Sequence, residues 1–248
     1  IIEELGPGVT EFQVGDRVAY ASAPLGSYSE VRTFPIQNLV KIPDDISDDI
    51  AAAIMLKGMT AEYLIRRTYK VMSGQTVLFH AAAGGVGLIA CQWLKAIGAT
   101  VIGTVGSHEK SELAKANGCD HTILYKEEDF VDKVKAITNG KGVPVVYDSV
   151  GKDTALQSLD CLSSLGLLVI FGNSSGNAPA IEPGLLATKG SLYVTRPTLF
   201  NYNDTREKLM ESANQVFSMV RSGKISIKIG AQYALKDAVQ AHKDLEAR

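Results

Sequence analysis

The twelve residues from Thr76 to Gly87, TVLFHAAAGGVG, constrain this chain more than any other stretch. Val77, Leu78 and Phe79 form an unalternating apolar run, as in a strand buried on both faces. From Val86 the apolar residues fall at Val86, Ile89, Ala90, Trp93, Leu94 and Ile97, the spacing of a helix, and Gly98 stands where a glycine ends one. Between them lies the turn Ala82-x-Gly84-x-x-Gly87. A dinucleotide asks three things of such a turn: tightness, close approach of backbone to the pyrophosphate, and close packing of helix on strand. The phosphates then meet the open N–H groups and positive end of the helix. Ala82 stands where the usual fingerprint has its first glycine, so a plain strand-to-helix turn without ligand is the competing reading.

The rest of the chain extends the same pattern. From about Gln75 to Thr195 strands are expected at 76–80, 100–105, 121–125, 143–148, 167–171 and 191–195. Helices are expected at 85–97, 108–117, 128–138 and 153–163, with a short irregular connection near 180–189. This alternation predicts an α/β protein with a doubly wound, six-stranded parallel sheet, its ligand lying across the carboxyl ends of the strands. Pro144 falls at the start of its strand, where a missing donor is tolerated.

The flanks read differently. Residues 1–46 are turn-rich with short strands, including an alternating Tyr28-Ser29-Glu30-Val31. Ser47, with Asp48 and Asp49 behind it, caps a helix through Ala51–Ala53. Lys57-Gly58-Met59-Thr60 interrupts that helix, and a second begins near Thr60. After residue 196, Thr205 caps a helix bearing Leu209, Ala213, Val216, Phe217 and Val220. A strand pair near 225–233 and a helix from about Leu235 follow, and the chain stops at Arg248 in mid-pattern. The opening Ile1-Ile2-Glu3-Glu4-Leu5 has the look of mid-strand, so the chain is expected to be a truncated piece of a longer one.

Charge and composition narrow the partners. The 248 residues carry 25 Lys and Arg against 27 Asp and Glu, a net charge of −2, which favours neither nucleic acid nor an anionic membrane. There is no apolar run of about 18 residues to span a membrane. Cys91, Cys119 and Cys161 are scattered and odd in number, which suits a reducing cytoplasm and core positions rather than disulfides or zinc. His80, His108, His121 and His242 show no metal-ligand spacing, and Arg66-Arg67 reads as a solvated helix face. No Gly-x-Ser-x-Gly turn supports hydrolase chemistry.

The tip of the second strand selects the cofactor. An acid usually stands there to hold the ribose 2′-OH of NAD; here the sequence is Gly103-Thr104-Val105-Gly106-Ser107-His108-Glu109-Lys110. Ser107 offers a hydrogen bond and Lys110 a charge to a 2′-phosphate, with Glu109 expected to point away, so NADP is preferred. The competing reading makes Ser107 a helix cap and Lys110 a solvated charge. Tyr125 either flanks the same phosphate or is a surface tyrosine. Two further strand tips, Tyr147-Asp148-Ser149-Val150-Gly151 and Phe171-Gly172-Asn173-Ser174-Ser175-Gly176, place polar groups where the nicotinamide half belongs. Asp148 is either ligand or cap.

With these residues, the chain resembles the zinc-independent, zeta-crystallin-like NADPH:quinone oxidoreductases of the medium-chain dehydrogenase/reductase superfamily. The resemblance is carried by Val14–Val18, Leu56–Ala61, His80–Gly87, Ile102–Ser107, Val146–Gly151, Phe171–Gly176 and Gly190–Pro197. It implies Thr60 beside the nicotinamide ribose, Gly84, Gly85, Val86 and Gly87 on the pyrophosphate, Ser107, Lys110 and Tyr125 around the 2′-phosphate, and Ser149, Phe171, Asn173 and Ser174 along the cofactor. It implies an NADP-binding domain at 56–196, a partial GroES-like catalytic domain from 1–55 and 197–248, and a homodimer paired through the sixth strands near Ser191–Thr195. Family members carry further N-terminal residues that line the active site and a further C-terminal strand. The function implied is hydride transfer to a quinone without metal. An alkenal or enone reductase, and an NADPH-gated binder of single-stranded RNA, are the alternatives.

Overall fold

The computed structural model describes residues 1–21 and 24–247. Arg248, where the sequence pattern breaks off, lies outside them. Short strands β1 (Val18–Ala19) and β2 (Val40–Lys41) pair antiparallel near the start of the chain. Helix α1 (Asp48–Tyr63) follows. Its Ser47 cap accepts the Ile50 N–H, and Asp48 and Asp49 sit at its positive end.

Six strands then build one parallel sheet: β3 (Thr76–Phe79), β4 (Thr100–Val105), β5 (His121–Leu124), β6 (Val143–Asp148), β7 (Leu162–Ile170) and β8 (Tyr193–Thr195). Their spatial order is β5-β4-β3-β6-β7-β8. Leu78 pairs with Ile102 on one side and Val146 on the other, so the order reverses between β3 and β6, the point at which sheets of this kind form a ligand crevice outside their carboxyl ends. The intervening helices are α2 (Gly85–Ile97), α3 (His108–Ala116), α4 (Phe130–Ile137), the short α5 (Ala155–Ser158) and α6 (Pro183–Thr188). After the sheet come α7 (Leu199–Tyr202), α8 (Arg206–Arg221) and α9 (Ala238–Ala247).

The alternation of side chains along each strand divides the core in two. Val77, Phe79, Val101, Val145, Tyr147 and Val169 face α1, α2 and α8. Leu78, Ile102, Val146, Leu168 and Ile170 face α4 and α5 through Phe130, Val134, Ala155 and Leu159. Both faces are covered, which is why the strands read as continuous apolar runs.

Several expectations are corrected. Helix α1 is unbroken through Gly58, because Gly58 is buried against α8: a β-carbon there would stand 2.7 Å from Val216 Cγ1. The helix then loosens into a π-turn over Leu64–Thr68. The fifth strand begins at Leu162 rather than 167, and the helix expected at 153–163 shrinks to α5 and one 3-10 turn over Leu159–Cys161. A register shift between Val143 and Val145 and a left-handed Leu165 (φ 62°) let β7 start early. Tyr28–Val31 forms exposed bends rather than a strand. Among the described residues no strand lies between 225 and 233.

Arg66 and Arg67 are not a solvated face. Arg66 bonds Glu62 Oε1 at 3.1 Å and Arg67 bonds Oε2 at 2.7 Å, while Ser212 of α8 donates to the same carboxylate at 2.8 Å. Glu62 is fully buried, so its charge is tolerated only because three donors meet it. Arg67 also reaches the Tyr202 carbonyl and Asn203 Oδ1.

Candidate dinucleotide site

The candidate site follows the carboxyl ends of β3 to β7. Strand β3 ends at Phe79, and buried His80 fixes what comes next. Its Nδ1 lies 2.9 Å from Thr104 Oγ1 and its Nε2 2.9 Å from Ser158 Oγ. The Ser158 hydroxyl donates to the Thr154 carbonyl, so Nε2 carries the ring proton and Nδ1 accepts from Thr104. Burial holds the His80 pKa below its ordinary value, partly opposed by the Asp148 charge. Ala81 is left-handed (φ 53°), an uncommon state for alanine that this surrounding frame sustains. Its carbonyl accepts the Gly84 N–H at 2.8 Å, closing the turn.

Gly84 is the N-cap of α2 and has no side chain to fill that role. Leu88 N–H donates back to the Gly84 carbonyl, so the amides of Gly85, Val86 and Gly87 are the open donors of the first turn. A β-carbon on Gly87 would fall 2.5 Å from the Ala81 carbonyl oxygen and 2.6 Å from that of Ala82, so only glycine fits. Ala82 is buried. Open amides, an exposed Gly84–Gly85 surface and a helix dipole aimed outward fit a pyrophosphate.

At the tip of β4, Ser107 caps α3, its Oγ accepting the Lys110 N–H at 3.3 Å. Capping uses a lone pair and leaves the hydroxyl proton free to donate, so the cap and phosphate readings are compatible. The Lys110 side chain starts one turn on and is exposed. The Tyr125 hydroxyl lies 3.4 Å from where a Gly106 β-carbon would be, so the phenol leans over the backbone next to Ser107. Tyr125, after β5, thus stands beside the cap of α3, with Lys110 in that helix's first turn.

The tips of β6 and β7 are zipped together. Ser174 N–H donates to the Ser149 carbonyl at 3.1 Å, Ser175 N–H to the Val150 carbonyl at 3.0 Å, and Lys152 N–H to the Gly176 carbonyl at 3.0 Å. Asn173 Nδ2 donates to Asn177 Oδ1. Phe171 points inward, its ring tilted at 56° to that of Phe79 with centroids 5.6 Å apart. Asp148 resolves as a turn residue: Oδ1 accepts from Val150 and Gly151 amides, and Oδ2 from the Thr154 hydroxyl, in full burial. Across the crevice on α1, half-buried Thr60 donates its hydroxyl to the Leu56 carbonyl at 2.7 Å, keeping its acceptor lone pairs. Tyr63 stacks on Tyr202 (centroids 4.5 Å apart), and burial pushes its phenol up to about 12. Among the described residues no three His, Cys, Asp or Glu gather as metal ligands.

Sequence reading passed over two features of this region, the Glu62 cluster and His80. The Glu62–Arg66 spacing of four was the available signal for the first. For the second, only a polar residue closing a fully apolar strand hinted at it.

Comparison with known proteins agrees with this geometry. The sequence model of the zinc-binding dehydrogenase family matches residues 85–215. A quinone oxidoreductase of Pseudomonas aeruginosa is 53% identical over all of this chain and 76% of its own length. A 2-haloacrylate reductase of a Burkholderia species is 47% identical over all of this chain and 75% of its length. The crystal structure of Escherichia coli quinone oxidoreductase complexed with NADPH superposes with a TM-score of 0.95 at 51% identity, over 99% of this chain and 76% of that one. The chain belongs to the zinc-independent quinone oxidoreductases of the medium-chain dehydrogenase/reductase superfamily.

Proposed function

We propose that the protein is an oxidoreductase that uses NADPH to reduce quinones. The observation that carries this is the open glycine turn at the sheet's reversal point, in a chain more than half identical to a quinone oxidoreductase. NADPH supplies a hydride from C4 of its nicotinamide, and with one proton from solvent a quinone becomes a hydroquinone. The open amides of Gly85, Val86 and Gly87 receive the pyrophosphate, and Gly84, whose own N–H closes the turn on the Ala81 carbonyl, lets it approach the backbone. Ser107, Lys110 and Tyr125 hold the 2′-phosphate. Ser149, Phe171, Asn173 and Ser174 line the nicotinamide half, and Thr60 meets its ribose. A quinone is a ready hydride acceptor, so the protein's part is orientation and exclusion of water, and we assign no catalytic acid.

We further propose that residues 56–196 form the cofactor domain, with 1–55 and 197–248 contributing to a catalytic one. One helix, α1, bridges that boundary. The chain works as a homodimer joined at β8, whose outer edge is unpaired and whose Tyr193 is exposed, in the cytoplasm. No helix among the described residues is long and apolar enough to cross a membrane.

The test is NADPH consumption, followed by absorbance, with 1,4-benzoquinone and, in parallel, an α,β-unsaturated ketone. Faster turnover of the quinone is expected. Turnover of the enone alone would reassign the substrate, and consumption with neither would overturn the proposal. Light scattering checks the dimer, which a Val194→Pro change at the β8 edge is expected to break.

A further inference from the structure

Lys57 lies on α1, yet its side chain crosses to α2. A β-carbon built on Gly85 would stand 2.8 Å from Lys57 Cε, 2.9 Å from Cδ and 3.1 Å from Nζ. The lysine therefore lies along the Gly85 backbone, with its ammonium at the mouth of the glycine turn. Among the described residues it has no hydrogen-bond or ion-pair partner. An ammonium at the amino end of a helix is disfavoured, because the helix dipole presents positive charge there and the nearby N–H groups are donors like itself. Yet α1 holds it in place: its neighbour Gly58 is wedged against Val216 of α8, which fixes the helix's rotation. Lys57 and the Gly84–Gly85 surface are exposed, so water solvates them in the free protein, and a cation set beside a row of open donors makes a cluster that an anion satisfies best.

We propose that Lys57 is a ligand of the cofactor's pyrophosphate, supplying across the crevice the one full positive charge that the glycine turn lacks. The proposal rests on the dinucleotide reading of that turn. Thr60 lies three residues further along α1, on the same face. Lys57 and Thr60 thus form a rail that follows the cofactor from its phosphates to the nicotinamide ribose. The role differs from that of Lys110, which serves the 2′-phosphate alone. Lys57 meets a group that NADPH and NADH share, so it sets the affinity for the nucleotide and not the choice between the two.

The experiment measures dissociation constants of NADPH, NADH and adenosine 2′-monophosphate for the unmodified protein, Lys57→Gln and Lys57→Arg. In Lys57→Gln both dinucleotides are expected to bind about tenfold more weakly, the loss of one charge-assisted contact. Adenosine 2′-monophosphate, which has no pyrophosphate, binds unchanged. Lys57→Arg recovers most of the affinity, which separates lost charge from lost fold. Unchanged dinucleotide affinity in Lys57→Gln overturns the assignment, as does a loss confined to NADPH, which would move Lys57 to the 2′-phosphate. If the unmodified protein binds neither dinucleotide, the reading of the glycine turn itself fails, and this proposal with it.

Discussion

Two strand-to-helix turns stand side by side in this protein, and they prepare their helices in opposite ways. The turn after β3 leaves α2 without a side-chain cap: Gly84 occupies the position, and the first amides stay open. The turn after β4 closes α3 with Ser107, whose oxygen already accepts the Lys110 N–H. On the proposed reading the first turn addresses a ligand with backbone, so its geometry must hold to fractions of an ångström and its side chains must be absent. The second, on the same reading, addresses a ligand with side chains, which move freely, so its backbone need only be a well-made helix start. Features common to all dinucleotides suit the rigid turn, and the feature that distinguishes one from another suits the adaptable one.

If that division holds, the two turns fail differently. The largest effect is expected at Gly87→Ala. The new methyl meets two backbone carbonyl oxygens at 2.5 and 2.6 Å that cannot yield, at a cost of about 3 kcal/mol in denaturant unfolding, and both NADPH and NADH binding disappear. Binding of either at normal strength would show that the turn is not the pyrophosphate seat. Next, Lys110→Ala is expected to weaken NADPH about tenfold and leave NADH unaltered, measured by calorimetric titration. Equal loss of both would erase the contrast between the turns. Ser107→Ala removes the cap and should lower unfolding stability by about 1 kcal/mol, with a loss of NADPH affinity on top. If stability falls and NADPH binding does not, Ser107 is a cap alone.

The smallest effect at neutral pH concerns the frame of the first turn. His80 is buried neutral, with its pKa below the ordinary 6.5. Below pH 6.5 the unfolded chain takes up a proton that the folded chain refuses, so the unfolded state binds more protons and stability declines as the pH falls; above 6.5 the contribution is level. Urea midpoints measured from pH 7.5 to 5 should show this slope, reduced in His80→Asn. A slope identical in the variant would remove His80 as its source.

The β3–α2 turn, the parallel sheet and the identities of most strands are legible in the sequence because they are local: an apolar run, a glycine spacing, a helical stripe. What stays hidden depends on residues far along the chain. Gly58 reads as a break until Val216, brought in from α8, makes the close contact that calls for glycine. Arg66 and Arg67 read as solvated until Glu62 is seen to be buried with Ser212 beside it. The first residues of β7, Leu162-Ser163-Ser164-Leu165-Gly166, carry no strand pattern, and join the sheet only through a register shift against β6. At the candidate site, the sequence already places the polar residues at the strand tips. The hydrogen bonds that decide between cap and ligand for Asp148 could not, because they depend on Thr154, one turn into the next loop.

The opening segment of the chain depends on partners from its far end. Arg206 of α8 bonds Glu11 across 195 residues, Arg221 bonds Asp45, Gln232 bonds Asp49, and Tyr28 touches His242 across 214. During synthesis this segment leaves the ribosome long before these partners exist. At about 5–20 residues per second, Glu11 waits on the order of ten to forty seconds for Arg206, while the nucleotide-binding sheet between them has already emerged whole. In the cell this segment therefore keeps part of its surface open to chaperones and proteases until α8 and α9 arrive, although it is made before the sheet.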